Sequence, residues 1–268
     1  VENYRSGDKL FLFGFSRGAY SARSLAGMIR NSGVLHRSEI ARAREAYEIY
    51  RDCNLVDSPQ AQEFRRQYSH EIEIEFIGVW DTVGALGIPI NGIALPGFKN
   101  YYQFHNTTLS SRVRGAYQAL ALNELRAPYS PCVWTLDPGE SRSLPVEQRW
   151  FLGAHSNVGG GYGGDTLCNP SCRWMQAMAQ AHGLRFVSEW KVDRADYEML
   201  PRDSYTEFLA EHPDAQKFTA KQVRTVGLGV NETIDPVAKQ LIAEKPTMFN
   251  TYTQSFREGV RRLRVGLG

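Results

Sequence analysis

The spacing of apolar positions changes in a regular way along the chain and predicts alternating strands and helices. Residues 8–14 (DKLFLFG) form a short apolar run closed by glycine, which is typical of a buried strand. Directly after this run, apolar residues recur at helical spacing, at Ala19, Ala22, Ala26 and Ile29. The start of the chain therefore predicts a strand that passes at once into an amphipathic helix.

The same two patterns recur further along the chain. Strands are predicted over 71–80 and 149–154, where apolar runs end at polar residues. Helices are predicted over 38–51, 112–125 and 172–182, with shorter helical pieces near 203–212, 235–244 and 254–263. This order predicts an α/β fold with a mostly parallel sheet flanked by helices. Because charge rises and periodicity weakens after about residue 190, we predict a core over 1–190 and a mainly helical part over 191–268 that packs on it.

Composition and charge exclude several classes of protein. Of the 268 residues, 42% are hydrophobic and 12% aromatic, which is too apolar for an intrinsically disordered chain. No apolar run approaches the about 18 residues that a membrane-spanning helix requires. The 31 basic and 29 acidic residues leave a net charge of +2, which is too small for binding nucleic acid by phosphate neutralisation. We therefore expect a globular protein with no nucleic-acid partner.

The four cysteines leave the redox state of the protein open. Cys53 and Cys132 stand alone, whereas Cys168 and Cys172 are four residues apart and fit one face of a helix. Free thiols and disulfides both fit this pattern. The nearby histidines lack the spacing of a zinc finger, so we expect no metal site.

The segment Gly14-Phe15-Ser16-Arg17-Gly18 matches the pattern G-x-S-x-G. The pattern alone is weak, but here it joins a predicted strand directly to a predicted helix, which is the setting of a nucleophile elbow. Such a turn exposes the serine hydroxyl beside a helix N-terminus, where developing negative charge is stabilised. We predict that Ser16 is a nucleophile and that the backbone N–H of Arg17 is an oxyanion donor. The alternative is a Gly-Ser turn that only begins a helix.

A serine nucleophile needs a histidine base and a carboxylate that orients it, and elbow hydrolases present them in the order serine, acid, histidine. His155 follows the buried run 150–154 and precedes a glycine-rich loop, so it is the predicted base. Asp81 ends the apolar run 76–80 and is the predicted acid. A structural role for His155, and a turn-capping role for Asp81 through Thr82, are the alternatives.

Four blocks together resemble the DUF2235 family, whose α/β-hydrolase-like members include the catalytic domains of type VI secretion phospholipase effectors. The blocks are 14–23 (GFSRGAYSAR), 76–84 (FIGVWDTVG), 119–126 (ALALNELR) and 150–162 (WFLGAHSNVGGGY). The resemblance implies an α/β-hydrolase-like fold, a triad of Ser16, Asp81 and His155, cleavage of acyl esters of phospholipids, and a secreted effector.

The chain departs from the family pattern in two ways. Asn123 and Asn157 stand where relatives usually carry aspartate, which alters a supporting hydrogen bond or an ion site beside His155. Relatives also have an upstream segment with a first strand that ends in Asp-Gly-Thr. We therefore expect the N-terminal strands of the sheet to be missing, and an upstream segment or a second chain to complete the sheet and supply the second oxyanion donor.

Two further segments are candidate contacts for a lipid. The stretch 83–98 exposes Ile88, Ile93, Leu95 and Phe98 among glycines and prolines, so we predict an acyl-binding wall or a lid, with ordinary core packing as the alternative. Near the C-terminus, arginines alternate with apolar residues, at Arg257, Arg261, Arg262 and Arg264. This pattern fits an anionic membrane surface, and equally a solvated helix face.

The combined prediction is a serine hydrolase of carboxylic esters that acts on lipid esters as a phospholipase or lipase. This chemistry needs no metal and no cofactor. Two alternatives stay open at this point. One is a non-catalytic α/β scaffold that retains the motifs, and the other is an esterase of small soluble esters.

Overall fold

A central parallel sheet organises the computed structural model, which describes residues 1–52, 58–84, 112–135, 145–217 and 219–245. Within these residues the sheet has five strands in the order β1-β4-β5-β6-β7, all parallel to their neighbours. The strands are β1 (Leu10–Phe15), β4 (Ile74–Trp80), β5 (Ala116–Ala121), β6 (Val146–Phe151) and β7 (Glu232–Ile234). A separate antiparallel pair is formed by β2 (Val34–Leu35) and β3 (Ser69–His70).

Helices cover both faces of the sheet. They are α1 (Arg17–Ser32), α2 (Ala43–Arg51), α3 (Pro59–Tyr68), α4 (His155–Gly159), α5 (Cys168–Ala181), α6 (Arg194–Glu198), α7 (Ser204–Glu211) and α8 (Pro236–Glu244). Short 3-10 helices span Arg37–Arg42, Ala127–Tyr129 and Pro213–Lys217. The predicted α/β fold, with a mostly parallel sheet flanked by helices, is confirmed.

Alternation along β4 explains why both faces are covered. Ile77 and Val79 pack in one cluster with the alanines of α1, whereas Phe76 packs on the opposite face with Met175 of α5. Successive side chains of a strand point to opposite faces, so the continuous apolar run over residues 76–79 of β4 is buried on both sides. The sheet is therefore sandwiched between α1 and α5.

The predicted helix over 112–125 is wrong, because its centre is strand β5. All six residues of β5 are buried, and the strand lies in the middle of the sheet between β4 and β6. A strand buried on both faces is a continuous apolar run, which periodicity cannot distinguish from a short buried helix. The predicted helix near 254–263 lies outside the described residues.

The region after residue 190 contributes a strand as well as helices. Strand β7 pairs with β6, and Leu241 of α8 packs with Trp150 and Leu120 from the sheet. At the opposite edge, β1 pairs only with β4 within the described residues, and Phe13 is 42% exposed there. The expectation of further strands beside β1 stays a prediction.

Candidate active site

Ser16 lies in a tight turn between β1 and α1. Its backbone has φ 59° and ψ −121°, a left-handed conformation that is uncommon for residues other than glycine. The turn is held by Ser16 N–H, which donates to the Trp80 carbonyl at the end of β4 over 3.0 Å. Strained backbone of this kind, between a parallel strand and a helix, is typical of a nucleophile elbow.

The two glycines of the elbow have different roles. A side chain on Gly14 would overlap the carbonyl of Gly18 and the backbone nitrogen of Ala19, so the strand and the helix approach too closely for a Cβ. A Cβ on Gly18 would meet no atom within 4 Å. The close approach therefore requires glycine at position 14 only.

This difference predicts that Gly14→Ala destabilises the fold and Gly18→Ala does not. Overpacking against backbone costs about 1–3 kcal/mol, which lowers the Tm of a domain of this size by roughly 2–5 °C. Gly18 lies in the first turn of α1, where alanine is at least as favourable as glycine. Thermal melts of the two variants measure the difference, and an equal Tm for both would contradict the close approach.

The three predicted site residues lie together at the carboxyl ends of three strands. Ser16 follows β1, Asp81 follows β4, and His155 begins α4 after β6. Ser16 Oγ lies 2.8 Å from His155 Nε2, and His155 Nδ1 lies 2.5 Å from Asp81 Oδ2. Asp81 is fully buried and His155 is 5% exposed. The three side chains form one continuous hydrogen-bonded series.

Aromatic rings enclose the imidazole of His155. The ring of Phe15 lies 4.6 Å from it between centroids, and the ring of Tyr129 lies 5.0 Å away in an edge-on arrangement. Both rings pack against the imidazole, which contributes to the burial of His155. Its two ring nitrogens face Asp81 and Ser16.

Asp81 is paired with an arginine that the sequence analysis did not find. Arg224 Nη1 lies 2.5 Å from Asp81 Oδ1, and Nη2 lies 2.9 Å from Oδ2. The backbone N–H of Ala121 also donates to Oδ1 over 3.0 Å. Burial alone raises the pKa of Asp81, but the Arg224 charge and the hydrogen bonds from His155 and Arg224 outweigh burial and hold this pKa well below its usual value. The carboxylate is therefore ionised at neutral pH.

Two asparagines anchor the backbone that leads into His155. Asn123 Oδ1 accepts from the Gly153 N–H over 2.7 Å, and Asn157 Oδ1 accepts from the Ala154 N–H over 2.9 Å. The Asn157 side-chain amide also donates to Asp165 Oδ2 over 2.7 Å. Asn123 and Asn157, which stand where relatives usually carry aspartate, thus provide hydrogen bonds that position the loop before His155. The amide of Asn157 can donate to Asp165, which an ionised carboxylate cannot do.

A second buried carboxylate holds the other side of the same loop. Glu124 accepts from the backbone N–H of His155 over 3.2 Å and from the Ser204 hydroxyl over 2.9 Å. Burial raises its pKa, but the hydrogen bond and charge of Arg126 outweigh burial and lower it. Glu124 therefore remains ionised and fixes the first turn of α4.

Comparison with known proteins identifies the family of the chain. The family model described as "T6SS, Phospholipase effector Tle1-like, catalytic domain" matches residues 1–178. The chain belongs to this family. The expected relation to type VI secretion phospholipase effectors is thus confirmed.

Two solved structures resemble the chain. An uncharacterized protein from Pseudomonas aeruginosa is 22% identical with a TM-score of 0.43, and the match covers 77% of this chain and 28% of that one. The Tle1 effector bound to the VgrG spike of the type VI secretion system is 27% identical with a TM-score of 0.30, covering 59% of this chain and 26% of that one.

One curated relative is an uncharacterized protein of Saccharomyces cerevisiae. It is 36% identical over 98 residues, which are 33% of this chain and 14% of the yeast protein. The chain thus spans less than a third of the length of each of these relatives.

Ser16, Asp81 and His155 all lie within the part of the chain that matches the Tle1-like catalytic domain, whereas Arg224 lies beyond it. Sequence reasoning missed Arg224 because the residue belongs to no motif and follows no predicted strand. Arg17 begins α1 directly after Ser16, as the predicted oxyanion donor should. The match to the Tle1-like catalytic domain therefore includes the elbow but not Arg224, which pairs with Asp81.

Several other residues singled out in the sequence lie outside the described part of the chain. These are the candidate lipid contacts Ile88, Ile93, Leu95 and Phe98, the C-terminal arginines, and Cys53. Cys132, Cys168 and Cys172 are free thiols. Within the described ranges, no three histidine, cysteine or acidic side chains are grouped as a metal site. None of the described helices is both long and apolar enough to cross a membrane.

Proposed function

We propose that this chain hydrolyses carboxylic esters of phospholipids with Ser16, His155 and Asp81 as a catalytic triad. The observation that carries the proposal is the continuous series Asp81–His155–Ser16, with separations of 2.5 and 2.8 Å, behind a strained elbow. Membership of the Tle1-like phospholipase effector family supports the substrate class. The same membership supports a protein that acts as a secreted effector.

In the first half of the reaction, Ser16 Oγ attacks the ester carbonyl carbon while its proton passes to His155 Nε2. Asp81 accepts from His155 Nδ1–H, which fixes the tautomer and stabilises the imidazolium that forms. The oxyanion of the tetrahedral intermediate accepts from the Arg17 N–H at the start of α1, where the helix dipole favours negative charge. The intermediate then expels the alcohol, which takes the proton from His155 Nε2, and an acyl-serine remains.

In the second half, His155 Nε2 removes a proton from water, and the hydroxide oxygen attacks the acyl carbonyl. The second tetrahedral intermediate breaks the bond to Ser16 Oγ, which recovers its proton from His155. A free fatty acid is released and the triad is restored. Among the described residues, the groups that take part are the three side chains of the triad and the Arg17 N–H.

A series of esters of increasing acyl length tests the lipid assignment against small soluble esters. Burial of each further methylene contributes about 0.8 kcal/mol, so two added methylenes should raise kcat/KM about tenfold until the acyl site is filled. Fatty acid released from phosphatidylethanolamine and phosphatidylglycerol vesicles, measured by mass spectrometry, tests the phospholipid directly. A kcat/KM that is flat from acetyl to decanoyl esters, with no release from vesicles, would favour the small-ester alternative.

A further inference from the structure

We propose that Arg224 is a positioning residue of the triad, which fixes the Asp81 carboxylate and balances its charge beside His155. The inference rests on the proposed function and extends it to a residue outside the region that matches the family. Arg224 touches neither Ser16 nor the imidazole in any described contact, and it acts through Asp81.

Four of the five N–H groups of the Arg224 guanidinium have acceptors, and its buried Nε–H has none among the described residues. Nη1 donates to Asp81 Oδ1 over 2.5 Å and to the Ala121 carbonyl over 2.8 Å. Nη2 donates to Asp81 Oδ2 over 2.9 Å and to the Tyr129 carbonyl over 2.5 Å. Four N–H groups thus meet four acceptors, and the side chain is 5% exposed. A planar fork fits this arrangement, whereas the single ammonium of lysine does not.

These four contacts join the parts that surround the imidazole. Asp81 follows β4, and Ala121 ends β5. Tyr129 ends a 3-10 helix, and its aromatic ring packs edge-on against His155. The segment that carries Arg224 is itself held, since the Gln222 N–H donates to the Leu125 carbonyl over 2.8 Å. Arg224 therefore connects the acid of the triad to the wall of the histidine site.

Charge balance around His155 gives the arginine its second role. Two buried carboxylates face the histidine, and each is paired with one arginine: Asp81 with Arg224, and Glu124 with Arg126. The phenol of Tyr129, against the imidazole, is the remaining titratable group among the described contacts. Loss of Arg224 would leave the Asp81 charge uncompensated in a buried site, which favours a proton on the adjacent imidazole. A protonated imidazole cannot accept the proton of Ser16.

The test is the pH profile of kcat/KM for a short-chain ester, measured on the full chain with Arg224→Met and Arg224→Lys. For Arg224→Met we expect kcat/KM at pH 7 to fall about 100-fold. We also expect the acidic limb of its pH profile to move to higher pH by about one unit. Arg224→Lys keeps the charge but loses the fork, so its acidic limb should stay close to that of the wild type while kcat remains reduced.

Arg65→Met is the matched control for the loss of a buried arginine. Arg65 is 4% exposed and donates to the Arg30 and Asn31 carbonyls in the helical layer, away from the triad. We expect it to lower the Tm without moving the acidic limb. The proposed role of Arg224 would be overturned if folded Arg224→Met had the same acidic limb as the wild type. It would also be overturned if Arg65→Met moved the acidic limb as far as Arg224→Met does.

A second measurement separates this proposal from the proposed function. NMR titration of the His155 ring needs no turnover, and it should show the imidazole holding its proton to higher pH in Arg224→Met than in the wild type. If Ser16→Ala retains full activity, the proposed function fails while this titration still tests the arginine. If Arg224→Met does not fold, the His155 titration and the pH profile of kcat/KM are measured on Arg224→Lys instead. An acidic limb displaced by one unit in Arg224→Lys would contradict the charge argument, because this variant keeps the positive charge.

Discussion

Ser16→Ala is expected to remove nearly all ester hydrolysis, with a loss in kcat on the order of 10⁴-fold or more. The variant keeps the elbow but has no oxygen to form the acyl intermediate, so the remaining rate reflects only substrate binding and the oxyanion donors. Alanine also lacks the hydroxyl that lies 2.8 Å from His155 Nε2. Initial rates on a chromogenic ester and labelling by a fluorophosphonate probe measure the loss.

Ser21→Ala is the matched control for this experiment. Ser21 lies in α1, the helix that follows the elbow. It is exposed and donates its hydroxyl to the Arg17 carbonyl over 3.1 Å. This control should retain wild-type labelling and turnover, because its hydroxyl does not contact the triad. Labelling that persists in Ser16→Ala would refute the triad. Absence of both labelling and turnover in the folded wild type would favour the non-catalytic scaffold.

Local chemistry explains which parts of the site could be predicted from the sequence. The elbow is encoded within five residues, since Gly14 permits the close approach and Ser16 follows the strand directly. Asp81 and His155 could be placed at the same edge because each ends an apolar run, and the carboxyl ends of parallel strands meet at one edge. Their assembly thus follows from strand ends and chain order alone.

The parts that could not be predicted depend on contacts between distant residues. Arg224 meets Asp81 across 143 positions, and its neighbours in sequence contain no signal of that contact. Strand β5 was mistaken for a helix because burial on both faces removes the alternation by which a strand is recognised. Helix α3 is different, since Ser58 caps it by accepting from the Ala61 N–H and Pro59 occupies its first position. That capping pattern is visible in the sequence and could have predicted the helix.

The surroundings of Asp81 determine what an amide would do in its place. Oδ1 accepts from both the Ala121 N–H and Arg224 Nη1, so the oxygen of an asparagine must occupy that position. The amide nitrogen would then occupy the position of Oδ2, which lies 2.5 Å from His155 Nδ1 and 2.9 Å from Arg224 Nη2, so Arg224 loses one acceptor there. A donor there requires Nδ1 to accept, and the imidazole proton moves to Nε2. His155 would then point an N–H at Ser16 and could not take its proton.

Asp81→Asn is therefore expected to fold with a lower Tm, because the buried Arg224 charge loses its carboxylate partner. We expect it to lose about 10⁴-fold in kcat, with a much smaller change in KM. The loss should approach that of Ser16→Ala, and the double variant should be no slower than Ser16→Ala, because residues that act as one unit are not additive. Asp165→Asn is the control, since Asp165 accepts from Asn157 at the neighbouring loop and does not contact the imidazole. Steady-state kinetics on the wild type and the four variants decide the matter. An Asp81→Asn enzyme within tenfold of the wild type would show that this carboxylate does not set the tautomer of His155.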